Sequence, residues 1–309
     1  MEEKRKQASA AAAAPNSSAN DELKKSIQKE KRTKFFRAMF SRRIVIIGLV
    51  GLIFFILIAV FAPYISKFEP SAMDSSAILQ LPNRVHWLGT DNYGRDTFAR
   101  LVFGARISLI VGVLAVAIAA VIGISLGMIA GYTGGIIDLV IMRVMEAMMA
   151  IPGLMIHLAL VAVIGNSVTD LAVILAVTTV PTYVRMTRAM TMTIRNSDYV
   201  RAARMSGVSR FRILIDHILP NTIPHNIVQM VSNVGRTILQ EAALSFLGVG
   251  ITIPTPSWGT MVSEGRNYLL SNPTIALVPG LCVALLVISL NLLGDGVRDA
   301  MDPRLRGQS

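Results

Sequence analysis

Lysine runs out early in this 309-residue chain. All eight lysines lie at or before Lys67. None follows a glycine, so no G-x-x-x-x-G-K-[ST] phosphate loop exists. Cysteine is nearly absent too. Cys282 alone excludes an intramolecular disulfide framework and any cysteine-cluster metal site. It lies in an apolar run and reads as a small packing residue. The four histidines, His86, His157, His217 and His225, are scattered, with no H-E-x-x-H and no G-x-S-x-G elbow. Charge is scarce: 16% of residues against the roughly 25% usual in a soluble domain. A soluble protein that is 53% apolar has nowhere to put its apolar surface. Intrinsic disorder fails for most of the chain on the same ground.

What remains is apolar runs and a basic balance, with mean hydropathy +0.56 and net charge +11. Residues 1–33 are Ala-rich and mixed in charge, and read as a disordered cytoplasmic tail. From Lys34 to Arg43 aromatics alternate with cations, as in a short helix on an anionic membrane surface. Six spans follow. Ile44–Ala62 is charge-free over 19 residues, enough to cross the hydrocarbon core. The second span lies in the charge-free stretch from Ile107, with a turn at Gly131–Gly135. The third runs from about Ile136 to Ile164, and the fourth, shorter, from Leu171 to Val184. Residues 185–220 are too polar to span. The fifth starts after Pro220 and reaches about Gly250, with Arg236 and Glu241 inside it. Residues 251–272 read as a Pro-rich loop with Trp258, and the sixth span covers about Pro273 to Gly294. Trp87 and Tyr93, in the long segment after the first span, suit an interface.

With the N-terminus inside, 22 of the 30 Lys and Arg fall on one side: in 1–43, in 185–220 and in 298–309. The positive-inside rule then favours both termini in the cytoplasm. The basic excess becomes a membrane flank, and a nucleic-acid role loses its footing. The expected fold is an all-α integral membrane protein with six transmembrane helices. Without an ATP site, such a transporter uses an ion gradient or borrows an ATPase. A gradient-driven carrier wants carboxylates at mid-membrane in several spans, and Glu241 is the one good candidate. A membrane enzyme would need a catalytic constellation, and the sequence holds none.

The stretch from Asp198 to Asn221 reads as a helix, a glycine turn, a second helix and a proline stop. Asp198 can cap the first helix. Ala202 and Ala203 form a face that another protein can approach closely. Gly207 permits the turn, and Pro220 ends the second helix. The bland reading is a plain helical hairpin on the membrane surface. Arg236 and Glu241 are costly in lipid and face protein or water by default. Five residues apart, they cannot pair well along one helix face. They either pack against other spans and a partner or line a path. His86, Asp91 and Asp96 are ligand types, but in a turn-rich segment they more often cap and turn. The 16 methionines read as span packing.

The 198–221 stretch resembles the E-A-A loop of ABC-importer permeases: Ala202, Ala203, Gly207, Leu219 and Pro220 match. The leading Glu is Arg201, a residue frequent in the peptide branch. His86-Trp87-Leu88-Gly89-Thr90-Asp91-Asn92-Tyr93-Gly94-Arg95-Asp96 resembles the H-x-L-G-T-D-x-x-G-R-D signature of the peptide/nickel branch, continued by Gly104–Leu109. Glu241–Gly248 is similar to its E-x-x-L-S-F-L-G. Pro256–Gly259 and Asp295–Arg304 resemble its last loop and tail. The resemblance covers about 34–306 and is closest to the second, C-type permease subunit of dipeptide and oligopeptide importers.

The resemblance implies a type I ABC-importer permease fold, with an N-terminal unit over 34–104, a permease domain over 105–297 carrying a coupling loop at 195–220, and a cytoplasmic tail over 298–309. It implies that Tyr199, Arg201, Ala202, Ala203, Arg204, Gly207, Val208, Phe211 and Pro220 dock in a groove of a cytosolic ATPase. Arg236 and Glu241 stand as residues of the pathway or of inter-subunit packing. The implied partners are a homologous permease, two ATPase subunits that hold the ATP and Mg, and an extracytoplasmic binding protein. This chain itself binds no cofactor or metal. A bacterial or archaeal plasma membrane is the implied location, and a di- or oligopeptide the substrate, with nickel or a nickel chelate as the alternative.

Overall fold

The computed structural model describes residues 43–301. The Lys34–Arg42 surface helix, the 1–33 tail and residues 302–309 lie outside the described residues. Among those described, ordered structure is helical apart from one isolated bridge between Thr90 and Asp96.

Helix α1 (Arg43–Ile65) is apolar around its whole circumference. Val45, Gly48, Phe55, Ala59 and Ala62 are buried, whereas Ile47, Val50, Phe54 and Phe61 are exposed. A helix with that surface belongs in lipid. Helix α2 (Thr97–Thr133) is 37 residues, about 55 Å long. Asp96 starts it by accepting the Ala99 amide at 2.6 Å. Gly134, at φ +68°, ends it.

Helix α2 packs most extensively on α5 (Val168–Arg195). The cause is a stripe of glycines one turn apart, Gly123, Gly127 and Gly131. A Cβ on Gly127 would stand 2.7 Å from the Val184 carbonyl oxygen, so no side chain fits between the backbones. Facing the stripe, Tyr183, Thr187 and Thr191 of α5 are fully buried. Tyr183 and Val184 share a core with Val116, Ala119 and Ala120 of α2.

Several expectations change. The third span is not one helix: α3 (Gly135–Ala150) and α4 (Gly153–Ile164) meet at 94° across Ile151–Pro152. Proline removes an amide and clashes with the preceding turn, and an apolar run hides that break from a hydropathy reading. The fourth span runs on to Arg195, because Thr187 and Thr191 bury against the glycine stripe. Arg185, Arg188 and Arg195 therefore belong to a helix, not to the polar loop.

After α5 come α6 (Asp198–Met205), α7 (Arg210–Ile213), a π-helical segment (Leu214–Ile218) and α8 (Leu219–Phe246). Pro220 stops nothing. The wide π turn hands directly into α8, whose second residue is Pro220, and the Leu219 amide before it donates back to the Leu214 carbonyl. Asp198 does not cap α6 either. It is the first helical residue, and Ser197 holds the cap position with its hydroxyl donating to the Ile194 carbonyl at 2.7 Å.

The stretch read as a Pro-rich loop contains α9 (Trp258–Gly265), opened by a Ser257–Thr260 capping box. Trp258 is buried, donates its ring N–H to the Leu101 carbonyl at 2.9 Å, and stacks edge-on against Phe55. Helix α10 (Thr274–Met301) packs between α1 and α8 and carries residues 298–301, assigned to the tail by sequence. Among the described residues, four helices are long and apolar enough to cross a membrane: α1, α2, α5 and α10. The bent pair α3–α4 makes a fifth if it counts as one span. Helix α8 has the length, but its Asn, Gln, Arg and Glu keep it below that apolar standard.

Candidate functional site

The 198–213 loop sits at the C-terminal end of α2. Its inner face is anchored. Val200, Ile213 and Ile218 are fully buried against Met128 and Tyr132 of α2. Arg204 lies over the Tyr132 ring, 5.4 Å from its centroid. Arg195, at the end of α5, donates to the Tyr132 carbonyl at 2.9 Å and closes the C-terminus of α2. Asn221 donates to the His217 carbonyl at 2.6 Å, behind the ring pair Tyr199–His217.

Apart from Tyr199, whose ring meets His217, and Arg212, 3.6 Å from Asp216, the outer face has no partner among the described residues. Met205 is 89% exposed, Phe211 73% and Tyr199 48%. Arg201, Ala202, Gly207, Arg210 and Arg212 are exposed, and Ala203 and Val208 are half-buried. The turn between α6 and α7 depends on Gly207. Its φ is +77°, and the amides of Ser206, Gly207 and Val208 donate back to Ala202, Arg204 and Ala203. A Cβ at Gly207 would meet nothing within 4 Å. Conformation, not space, requires glycine there.

Arg236 and Glu241 part company. Arg236 is exposed on α8. Glu241 is fully buried and receives the Ser245 hydroxyl at 2.8 Å and the Ser108 hydroxyl of α2 at 3.3 Å. That carboxyl ties α8 to α2.

At the other end of α2 lies a cluster that the sequence reading missed. Arg95 and Arg100 are 0% and 1% exposed. Arg95 Nε donates to Asp91 at 2.7 Å and its Nη2 to Glu264 of α9 at 3.0 Å, while Arg100 Nη2 donates to Glu264 at 2.8 Å. Asp91 also accepts the amides of Tyr93 and Arg95, which folds the turn. His86 Nδ1 lies 2.8 Å from Asp96, the residue that starts α2. The three ligand types in this segment are thus engaged in turn, cap and ion-pair contacts. The i, i+4 spacing of Asp91 and Arg95 was a local signal for the pair, but Glu264 is 169 residues away from Arg95 and carried none.

A further ion pair braces the loop end. Arg188 of α5 holds Asp138 of α3 through two guanidinium nitrogens, Nη2 at 2.6 Å.

This arrangement has close relatives. The family model for binding-protein-dependent transport system inner membrane components matches residues 123–307. The chain belongs to this family. The model for the N-terminal transmembrane domain of oligopeptide transport permease C matches residues 33–82 of the permease. The permease is 40% identical over 271 residues to a dipeptide transport system permease of Alkalihalophilus pseudofirmus, covering 88% of this chain and 89% of the relative. It is 39% identical to the corresponding dipeptide permease of Haemophilus influenzae, covering 84% and 90%. A glutathione transport system permease of Pectobacterium atrosepticum is 35% identical, covering 88% and 91%. A chain of the MetNI methionine ABC transporter in an inward-facing conformation superposes with TM-score 0.53 at 20% identity, over 66% of the permease and 98% of that chain. The fold is that of an ABC-importer permease, and the relatives are C-type subunits of peptide importers.

Proposed function

We propose that the permease forms half of the pathway of an ATP-driven importer of di- or oligopeptides, and that its 198–213 loop docks on a cytosolic ATPase. The observation that carries this is the two-faced loop: one side fixed to α2 by Val200, Ile213 and Ile218, the other presenting Arg201, Ala202, Met205 and Phe211 with no packing partner among the described residues, beside a half-exposed Tyr199. Such an element moves with the spans when a bound protein pushes it, as a two-state transmission requires. The peptide reading is supported by relatives named for dipeptides and glutathione at 35–40% identity. In this reading a homologous permease completes the pathway, two ATPase subunits hold ATP and Mg, and an extracytoplasmic binding protein delivers the substrate. Helix α8 is the fifth of six spans and the α3–α4 pair the third. Both termini face the cytoplasm of a bacterium or archaeon, because the exposed arginines gather at the loop end.

The test is Gly207→Leu in the assembled complex. Leucine is strained at φ +77°. Peptide uptake and substrate-stimulated ATPase activity should fall at least about ten-fold, a 1.4 kcal/mol effect on coupling, while insertion and pairing with the second permease persist. Gly207→Asn should retain more activity, since asparagine tolerates this conformation. Unchanged uptake with Gly207→Leu would overturn the coupling role.

A further inference from the structure

The loop end of the permease also contains a cleft. It lies between the α2–α3 turn and the 198–213 loop and encloses about 760 Å³. Arg195, Arg204 and Arg210 line it together with Tyr132, Ile136 and Ile137, and no carboxylate does. Asp138, the acidic residue one turn into α3, is already held by Arg188. None of the three cleft arginines pairs with a carboxylate among the described residues. Two of them are fixed rather than roaming: Arg195 by the Tyr132 carbonyl and Arg204 over the Tyr132 ring.

Three guanidinium groups around one cleft repel each other until an anion enters. We propose that this anion is the headgroup of an anionic phospholipid, held by Arg195, Arg204 and Arg210 with its acyl chains along α3. The apolar rim selects a lipid over a free anion or an acidic protein segment. Ile136 is 79% exposed and Ile137 50%, and the exposed surface continues along α3 through Leu139, Val140 and Val144. A soluble acidic partner has no use for that face, whereas an acyl chain does. The depth fits as well. Tyr132 and Thr133 end a long apolar helix, at the level where aromatic and basic side chains meet headgroups.

The test uses the full chain purified in detergent. Phosphatidylglycerol, phosphatidylcholine and inorganic phosphate are added separately, and retention is read by native mass spectrometry and by thermal unfolding. Phosphatidylglycerol should be retained and should raise the Tm, while the other two do neither. The double variant Arg204→Gln with Arg210→Gln should retain about thirty-fold less, at roughly 1 kcal/mol per basic residue. Arg143→Gln, outside the cleft, should change nothing. Ile136→Ser with Ile137→Ser keeps the charges and should also weaken retention, which guards against misfolding of the first variant. Wild-type retention in both double variants would overturn the proposal. So would equal protection by inorganic phosphate, which would mark a free-anion site. Undiminished lipid binding in the arginine variant, together with loss of ATPase co-purification when the whole complex is purified, would reassign the cleft to the partner protein, again against the proposal.

Discussion

At the N-terminal end of α2, two arginines are sealed from solvent and share two carboxylates. At its C-terminal end, Arg201, Arg204, Arg210 and Arg212 stand exposed, and only Arg212 faces an acid in the described structure, Asp216 at 3.6 Å. One residue type therefore does two jobs on one helix. The buried pairs fix the long segment after α1 onto α9. The exposed set leaves a surface free to meet something else. Burial is the physical difference. A sealed guanidinium must be matched in place, because an unpaired charge there is costly. An exposed one is hydrated and screened, so it carries little stability and remains available.

The largest expected effect follows from removing one partner at the sealed end. Arg95→Ala leaves Asp91 and Glu264 short of a cation in a buried site. A loss of about 3–5 kcal/mol is expected, read as a lowered thermal midpoint in detergent and as poor accumulation in the membrane. Glu264→Ala should behave alike, because both arginines depend on it. If Arg95→Ala costs no more than an exposed arginine at the loop end, the distinction between the two ends fails.

The seam between the ends gives the next test. Gly127→Ala pushes a Cβ to 2.7 Å from the Val184 carbonyl, and a backbone cannot rotate away. Helices α2 and α5 must separate, at about 1–3 kcal/mol. Since α2 joins the sealed cluster to the loop, uptake should fall further than the loss of folded protein explains. Thermal unfolding and uptake per assembled complex measure the two separately. A drop confined to the amount of protein would mean that the seam only holds the ends together.

The contrast also explains what could be read without a structure. The first long apolar helix was visible because Ile44–Ala62 is uniformly apolar and exposed on most of its surface. The loop's helix–turn–helix was visible because Gly207 and the alternation around it are local features. The break at Ile151–Pro152 lay inside a charge-free run, where hydropathy reports no geometry. Helix α5 was cut short at Val184 because its last turns are polar, yet they are kept helical by a glycine stripe some 60 residues upstream. Helix α9 and the tie from Arg95 to Glu264 rest on contacts across the whole chain. Local pattern told where the loop is, and only the fold told which of its arginines are free. Arg185, Arg188 and Arg195, grouped with it by sequence, belong to α5.

The smallest effect is expected where charge is most exposed. Arg212 and Asp216 are 3.6 Å apart, with side chains 74% and 53% exposed. Their attraction acts through water and salt, and holding two long side chains together opposes it. Arg212→Ala should therefore lower stability by less than about 1 kcal/mol, and a double-mutant cycle with Asp216→Ala should give a coupling of only a few tenths. Added salt should shrink even that. ATPase stimulation is the second readout, because Arg212 follows Phe211 on the unpartnered side of the loop. If the exposed arginines serve a partner, Arg212→Ala weakens stimulation while the thermal midpoint hardly moves. A midpoint that falls as far as with Arg95→Ala would place the loop end in the same class as the sealed end, and its arginines would then be structural rather than free.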